Sequence, residues 1–198
     1  MSIEAQHPRY NAVMSVTSDS AHPLLVLVSG KPGSGKSTLA GRLADALSLP
    51  LVSRDAIKGG LAETLGGMGD AVTLASVGVF YGAITYLLDA GVSLVAEQSF
   101  RRGLDERHLQ TLTQRARTVV VHCHTPVEEA QRRFMARDRA RGGGAAHIVA
   151  QMERGVFDWA VFDPLDVGVS TLRVDTTRAY APGLDAIIAF CRGNPVGG

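Results

Sequence analysis

Cysteine is nearly absent. Cys123 and Cys191 are the only two in 198 residues, which excludes the disulfide framework of a small secreted scaffold. One falls in an expected strand and the other in an expected C-terminal helix, so both read as inert buried thiols of a reducing, cytoplasmic protein. Metal-ligand spacing is lacking too. The six histidines fall in no recurring pattern, and His122 and His124 beside Cys123 fit strand-end packing better than ligation. Excess charge of one sign is missing: the formal net charge is +1, so no overall field recruits nucleic acid or an anionic membrane surface. Residues 1–22 contain no apolar signal-peptide core and read as a polar N-terminal arm. No internal repeat occurs, and no Asn-Lys-x-Asp guanine motif.

Segment 71–88 lacks charge altogether and contains Gly78-x-x-x-Gly82. Its length would suit a membrane span. Thr73, Ser76, Tyr81, Thr85 and Tyr86 dilute it, however, and Asp70 and Asp89 bracket it where lysine or arginine would be favoured. The expectation is a buried helix, or one lying on a partner subunit, in a monomer or homodimer without membrane attachment.

What is present is concentrated near the amino end. Residues Gly30 to Ser37 read Gly-Lys-Pro-Gly-Ser-Gly-Lys-Ser, a full match to the phosphate-cradling pattern G-x-x-x-x-G-K-[ST]. The apolar run Leu24 to Val28 precedes it, and the helical pattern Leu39, Ala40, Leu43, Ala44, Leu47 follows. Strand, glycine loop and helix start make an anion nest at a positive helix end. Gly30, Gly33, Ser34, Gly35, Lys36, Ser37 and Thr38 are therefore the expected nucleoside triphosphate contacts, with Lys36 on the β- and γ-phosphates and the Ser37 hydroxyl on Mg²⁺.

The length suits one domain, expected over residues 23–192, with a tail at 193–198. Apolar runs alternate with helical patterns, which predicts an α/β fold: a three-layer α/β/α arrangement around a five-stranded parallel sheet. The strands are expected at 24–29, 49–53, 93–98, 118–123 and 171–175. Thr125-Pro126-Val127-Glu128 carries a capping-box pattern that starts a helix running toward Arg139, and Arg141-Gly142-Gly143-Gly144 ends it. A last helix is expected over 182–192.

Ligands of open parallel sheets sit beyond the carboxyl ends of the strands, and here those ends are rich in chemistry. Ser53-Arg54-Asp55 follows the second strand, Glu97-Gln98-Ser99-Phe100-Arg101-Arg102 ends the third, and Asp175-Thr176-Thr177 ends the fifth. Asp55 is a candidate to take a proton from an acceptor hydroxyl, and it also fits a helix N-cap. Glu97 is a candidate to reach Mg²⁺ or to act as the base, or a structural carboxylate bonded to Ser37. Arg101 and Arg102 are candidates to grip an anionic group of the acceptor, or a solvated pair. Phe100 and Tyr81 are candidate walls of the acceptor pocket, whereas Phe157, Trp159 and Phe162 are expected in the core. Arg133, Arg137 and Arg141 form one helical stripe, with Arg132 and Arg139 on the neighbouring side. Beside a glycine hinge they suit a lid, about residues 130–147, that neutralises the transferring phosphoryl group. A solvated basic face paired with Glu128, Glu129 and Asp138 is the simpler alternative.

On these residues the chain resembles the P-loop kinases of the adenylate-kinase-like group. It is most similar to small phosphotransferases such as the polynucleotide-kinase 5′-kinase domain and chloramphenicol phosphotransferase. The resemblance runs from Leu24 to Arg192. It implies that Asp55 acts on the acceptor hydroxyl, with Arg54 beside it. It further implies that Arg133 and Arg137 touch ATP phosphates and that Asp175, Thr176 and Thr177 border adenine. Glu97 stands where the family often has aspartate. The function expected is ATP- and Mg²⁺-dependent transfer of the γ-phosphate to a hydroxyl or phosphate of a small molecule. A nucleotide-dependent switch without an acceptor and a nucleic-acid 5′-end kinase are the alternatives, the latter weakened by the near-neutral charge.

Overall fold

The structure, a computed structural model, describes residues 22–67, 69–140 and 142–193. Arg141, nearly all of the expected N-terminal arm and all but Gly193 of the expected tail lie outside those residues. Five strands form one sheet, β1 (Leu24–Gly30), β2 (Leu51–Ser53), β3 (Leu94–Glu97), β4 (Arg117–His124) and β5 (Thr171–Asp175). They run all parallel in the order β2-β3-β1-β4-β5. The helices between them are α1 (Lys36–Leu47), α2 (Arg54–Leu65), α3 (Asp70–Asp89), α4 (Glu106–Thr113), α5 (Val127–Ala140), α6 (Ala146–Glu153) and α7 (Leu184–Arg192). A short 3₁₀ turn at Ala160–Phe162 precedes β5.

Alternation along β1 sorts the two faces. Leu25 and Leu27 point to a core layer with Phe80 and Ile84 of α3 and Leu109 and Leu112 of α4. Val26 and Val28 point the other way, to Leu39 and Leu43 of α1 and Ile187 of α7. A strand buried on both faces reads as an unbroken apolar run, which is why Leu24 to Val28 is so evident in the sequence. The uncharged segment is α3. It is one helix long and apolar enough to cross a membrane, and a third of its apolar stretch is buried inside the protein. Val72, Ser76, Phe80, Ile84 and Leu88 turn inward, while Leu74, Val79 and Tyr86 are exposed. Cys123 and Cys191 are both buried, and burial pushes their thiols up to about 12 and about 11, so neither forms a thiolate at neutral pH.

β1 lies at the centre of the sheet and leads to α1 on one face, whereas its neighbour β3 leads to α4 on the other. The crevice at its carboxyl end is the switch point of the fold, where a ligand fits without displacing a connection.

Candidate active site

The phosphate loop leaves β1 in a conformation that only glycine accommodates at two positions. Gly33 has φ of 84°, and a Cβ there would run into the carbonyl oxygen of Ala130 in the first turns of α5. Gly30 has φ of 143°, and its Cβ would come within 2.6 Å of the Cys123 carbonyl oxygen at the end of β4. The loop is thus pressed between α5 and β4 with no room for a side chain at either glycine. A Ser34 N–H to Lys31 carbonyl bond of 3.0 Å closes its turn, and α1 begins at Lys36. Ser34 Oγ is buried and unpartnered among the described residues.

Glu97 is the buried hub beneath this loop, 1% exposed. Ser37 Oγ donates to its Oε1 at 3.1 Å, Ser53 Oγ donates to its Oε2 at 2.8 Å, and Lys36 Nζ lies 3.7 Å from Oε1. Lys36 is itself 3% exposed, so the ammonium and carboxylate compensate one another where neither alone would be tolerated. The Ser37 hydroxyl and Glu97 carboxylate together make a hard oxygen donor set, which fits Mg²⁺ and not a soft metal.

Ser53 also supplies the N-cap of α2, accepting from the Ala56 N–H at 3.5 Å. Asp55 is therefore not the cap. It sits in the first turn of α2, exposed, and lines a cleft of about 390 Å³ together with Lys36, Arg54, Arg101 and Arg137. Phe134, Ile148, Phe157 and Phe162 give this cleft an apolar wall. Phe162, expected in the core, is buried there, and together with the half-buried Phe157 it also lines the cleft, their rings stacked 5.9 Å apart. Lys58, one helical turn beyond Asp55, was not singled out and also lines it. Burial, and then the neighbouring Arg54 charge, lower its pKa.

Phe100 and Arg102 do not reach the cleft. Phe100 is wholly buried against Phe80, its ring 6.2 Å away. Arg102 is exposed and tied through its backbone N–H to Val161. Tyr81 is no cleft wall either. Its hydroxyl donates to Asp105 Oδ1 at 2.9 Å and accepts from Gln98 Nε2 at 3.1 Å. Asp105 Oδ2 in turn accepts the Arg101 backbone N–H at 2.6 Å. This buried network fixes the turn that presents Arg101.

The expected arginine stripe is divided. Arg133 spends its guanidinium on Glu129 Oε1 at 2.6 Å and on the carbonyls of Thr176 and Thr177 at 3.1 and 2.6 Å. It thereby ties α5 to the loop after β5, with three of its five N–H donors engaged. Arg132 also pairs with Glu129, and these contacts hold the Glu129 carboxyl down to about 2. The simpler solvated pairing describes these two residues. Asp138 does not share in it, because its Oδ1 accepts the Ala145 N–H at the start of α6. Arg137 has no ion pair among the described residues. It lies over the Phe134 ring at 5.7 Å and lines the cleft beside Asp55.

A second cleft of about 480 Å³ lies on the other side of the phosphate loop, lined by Gly35, Thr38, Thr176, Arg178 and Tyr180, with the Arg42 guanidinium 5.4 Å from the Tyr180 ring. The Thr176 hydroxyl lies 2.6 and 2.9 Å from the Ser34 and His124 carbonyl oxygens, which share its one proton. Asp175 accepts the Thr177 N–H at 2.7 Å, and that turn lowers its pKa. Nothing local in the sequence marks Arg42 and Tyr180, flat groups suited to stacking on a base.

The AAA_33 family model, an AAA domain, matches residues 25–156. That span contains the phosphate loop, Asp55, Glu97 and Arg137 and stops before β5. A provisionally named kinase from Chloroflexus aurantiacus is 28% identical, with 88% of this chain and 99% of that chain covered and a TM-score of 0.76. A gluconokinase from Sinorhizobium meliloti shares the fold at 19% identity and a TM-score of 0.55, covering 88% and 94% of the two chains. So does the APS kinase of Mycobacterium tuberculosis, solved with AMPPNP and APS, at 18% identity and a TM-score of 0.55, covering 88% and 98%. No curated protein matches the chain. The matches bear out the resemblance to P-loop kinases and the α/β phosphate-loop fold.

Proposed function

Because the chain belongs to the AAA_33 family of AAA domains, we propose that it is a kinase that transfers the γ-phosphate of ATP to a hydroxyl of a small molecule. The observation that carries this reading is the shared cleft: Lys36 of the phosphate loop and the exposed Asp55 carboxylate line one cavity of small-molecule size. The kinase names of the structural relatives support it.

The polyphosphate would lie in the loop between Gly30 and Ser37, and the base in the cleft lined by Thr38, Arg178 and Tyr180, beside the Arg42–Tyr180 contact. Asp55 takes the proton as the acceptor oxygen forms its bond to the γ-phosphorus. The bond from that phosphorus to the β,γ-bridging oxygen breaks, and ADP departs with the electron pair. Asp55 is the better base of the two carboxylates, since both Glu97 oxygens already accept hydroxyls and Glu97 is buried. Lys36 and Arg137 face the charge that develops on the phosphoryl oxygens. Ser37 and Glu97 would hold Mg²⁺, which would neutralise charge on the β- and γ-phosphates.

A γ-labelled ATP transfer screen over hydroxylated metabolites tests this. Wild type labels an acceptor, and Lys36→Ala lowers labelling by about a hundred- to a thousandfold. Acceptor-independent hydrolysis at the same slow rate in every mixture would instead describe a nucleotide switch.

A further inference from the structure

The acceptor cleft holds a surplus of unspent positive charge. At the base of the cleft Lys36 is compensated by Glu97, but Arg54, Lys58, Arg101 and Arg137 line the cleft with no ion pair among the described residues. Arg54 Nη2 makes one long contact of 3.4 Å to the Thr73 carbonyl, and its Nε is buried with no hydrogen-bond partner. A buried donor left empty on a guanidinium is costly unless a ligand fills it. Arg101 lines the same cleft, its backbone clamped by Asp105 while its side chain makes no hydrogen bond or ion pair among the described residues. Asp55 and Asp70 also line the cleft, yet neither pairs with these guanidinium groups. Burial, then the Arg54 charge, lowers the pKa of Lys58 against the opposing effect of Asp55 and Asp70.

We propose that the acceptor is a small anion, bearing a carboxylate or phosphate that Arg54 and Arg101 hold while its hydroxyl faces Asp55. This rests on the kinase reading above and narrows it. A guanidinium fork recognises either group through paired charge-assisted hydrogen bonds. Placing that anion on Arg54 and Arg101 leaves Asp55 toward the transferable phosphate and the aromatic wall for the acceptor's apolar part.

The test is equilibrium binding to enzyme loaded with magnesium and AMPPNP. The probes are hydroxylated metabolites in matched neutral, carboxylate and phosphate forms, with D-glucose, D-gluconate and glucose 6-phosphate as one set. We expect an acidic member to bind about ten- to a hundredfold more tightly than its neutral counterpart. The carboxylate and phosphate arms tell which anion is preferred. Arg54→Gln with Arg101→Gln removes that preference, Arg54→Lys retains part of it, and Arg115→Gln, which removes a surface charge outside the cleft, retains all of it. Neutral members binding as tightly as acidic ones, no acidic member binding, or a preference that survives the double variant would each overturn the proposal. The kinase reading fails separately, by absence of AMPPNP binding or of label transfer. An enzyme that binds AMPPNP and phosphorylates neutral members best keeps that reading and loses this one.

Discussion

Glu97 and Asp55 are two carboxylates at neighbouring strand ends with opposite surroundings. Glu97 is enclosed by Lys36, Ser37 and Ser53, and Asp55 is exposed in the first turn of α2. The motif residues Gly30 to Ser37 were legible in the sequence because their chemistry is local. The Ser53 to Glu97 bond was not, because it joins residues 44 apart. Likewise, helical spacing groups Arg133 with Arg137 but carries no information that the Thr176 and Thr177 carbonyls absorb the former. One buried residue sets a pH response. His122 in β4 is 2% exposed, with Nδ1 unpartnered, and burial lowers its pKa to about 4. The unfolded chain takes up that proton near the ordinary histidine value, so stability contributed by neutral His122 is lost as pH falls from about 6.5 toward 4. Denaturant titrations are expected to show wild type losing roughly 2 kcal/mol more than His122→Leu between about pH 7 and about pH 5. Equal losses would contradict this.

At the scale of elements, the two that frame the acceptor cleft are lightly anchored. α2 has no buried residue, and α5 has only Ala130. Elements with so little buried area open at low free energy, which suits a cleft that must admit a substrate and then exclude water. The end of α5 was legible from the glycines after Ala140, and Gly142 and Gly143 do take positive φ of 88° and 78°. The role of α3 was not legible, because an uncharged helix with polar interruptions does not say which polar group it spends on a neighbour. Its Tyr81 secures Asp105, which secures Arg101. Tyr81→Phe leaves a buried carboxylate oxygen and the Gln98 amide short of a partner, at a cost of about 1–3 kcal/mol. Steady-state kinetics should then show the acceptor KM rising more than kcat falls. A lower Tm with an unchanged acceptor KM would reduce Tyr81 to a packing residue.

For the whole molecule, alternation of apolar runs and helical patterns was enough to give five parallel strands, because a sheet buried on both faces leaves no other pattern. The strand order and the division of helices between faces came only with the structure. That order, with β1 between β3 and β4, brings the phosphate loop, Glu97 and the start of α5 into one crevice and sets Asp55 across a cleft from Lys36. With a net charge of +1, recognition rests on local groups in that cleft and not on a field around the whole protein. The most direct test of this convergence is single-turnover transfer from ATP in Asp55→Asn, compared with its affinity for magnesium and AMPPNP. Transfer to the acceptor is expected to fall by about a hundred- to ten-thousandfold while the affinity stays within about twofold of wild type. Transfer at the wild-type rate, or a parallel loss of nucleotide affinity, would contradict the assignment of Asp55 and with it the shared site.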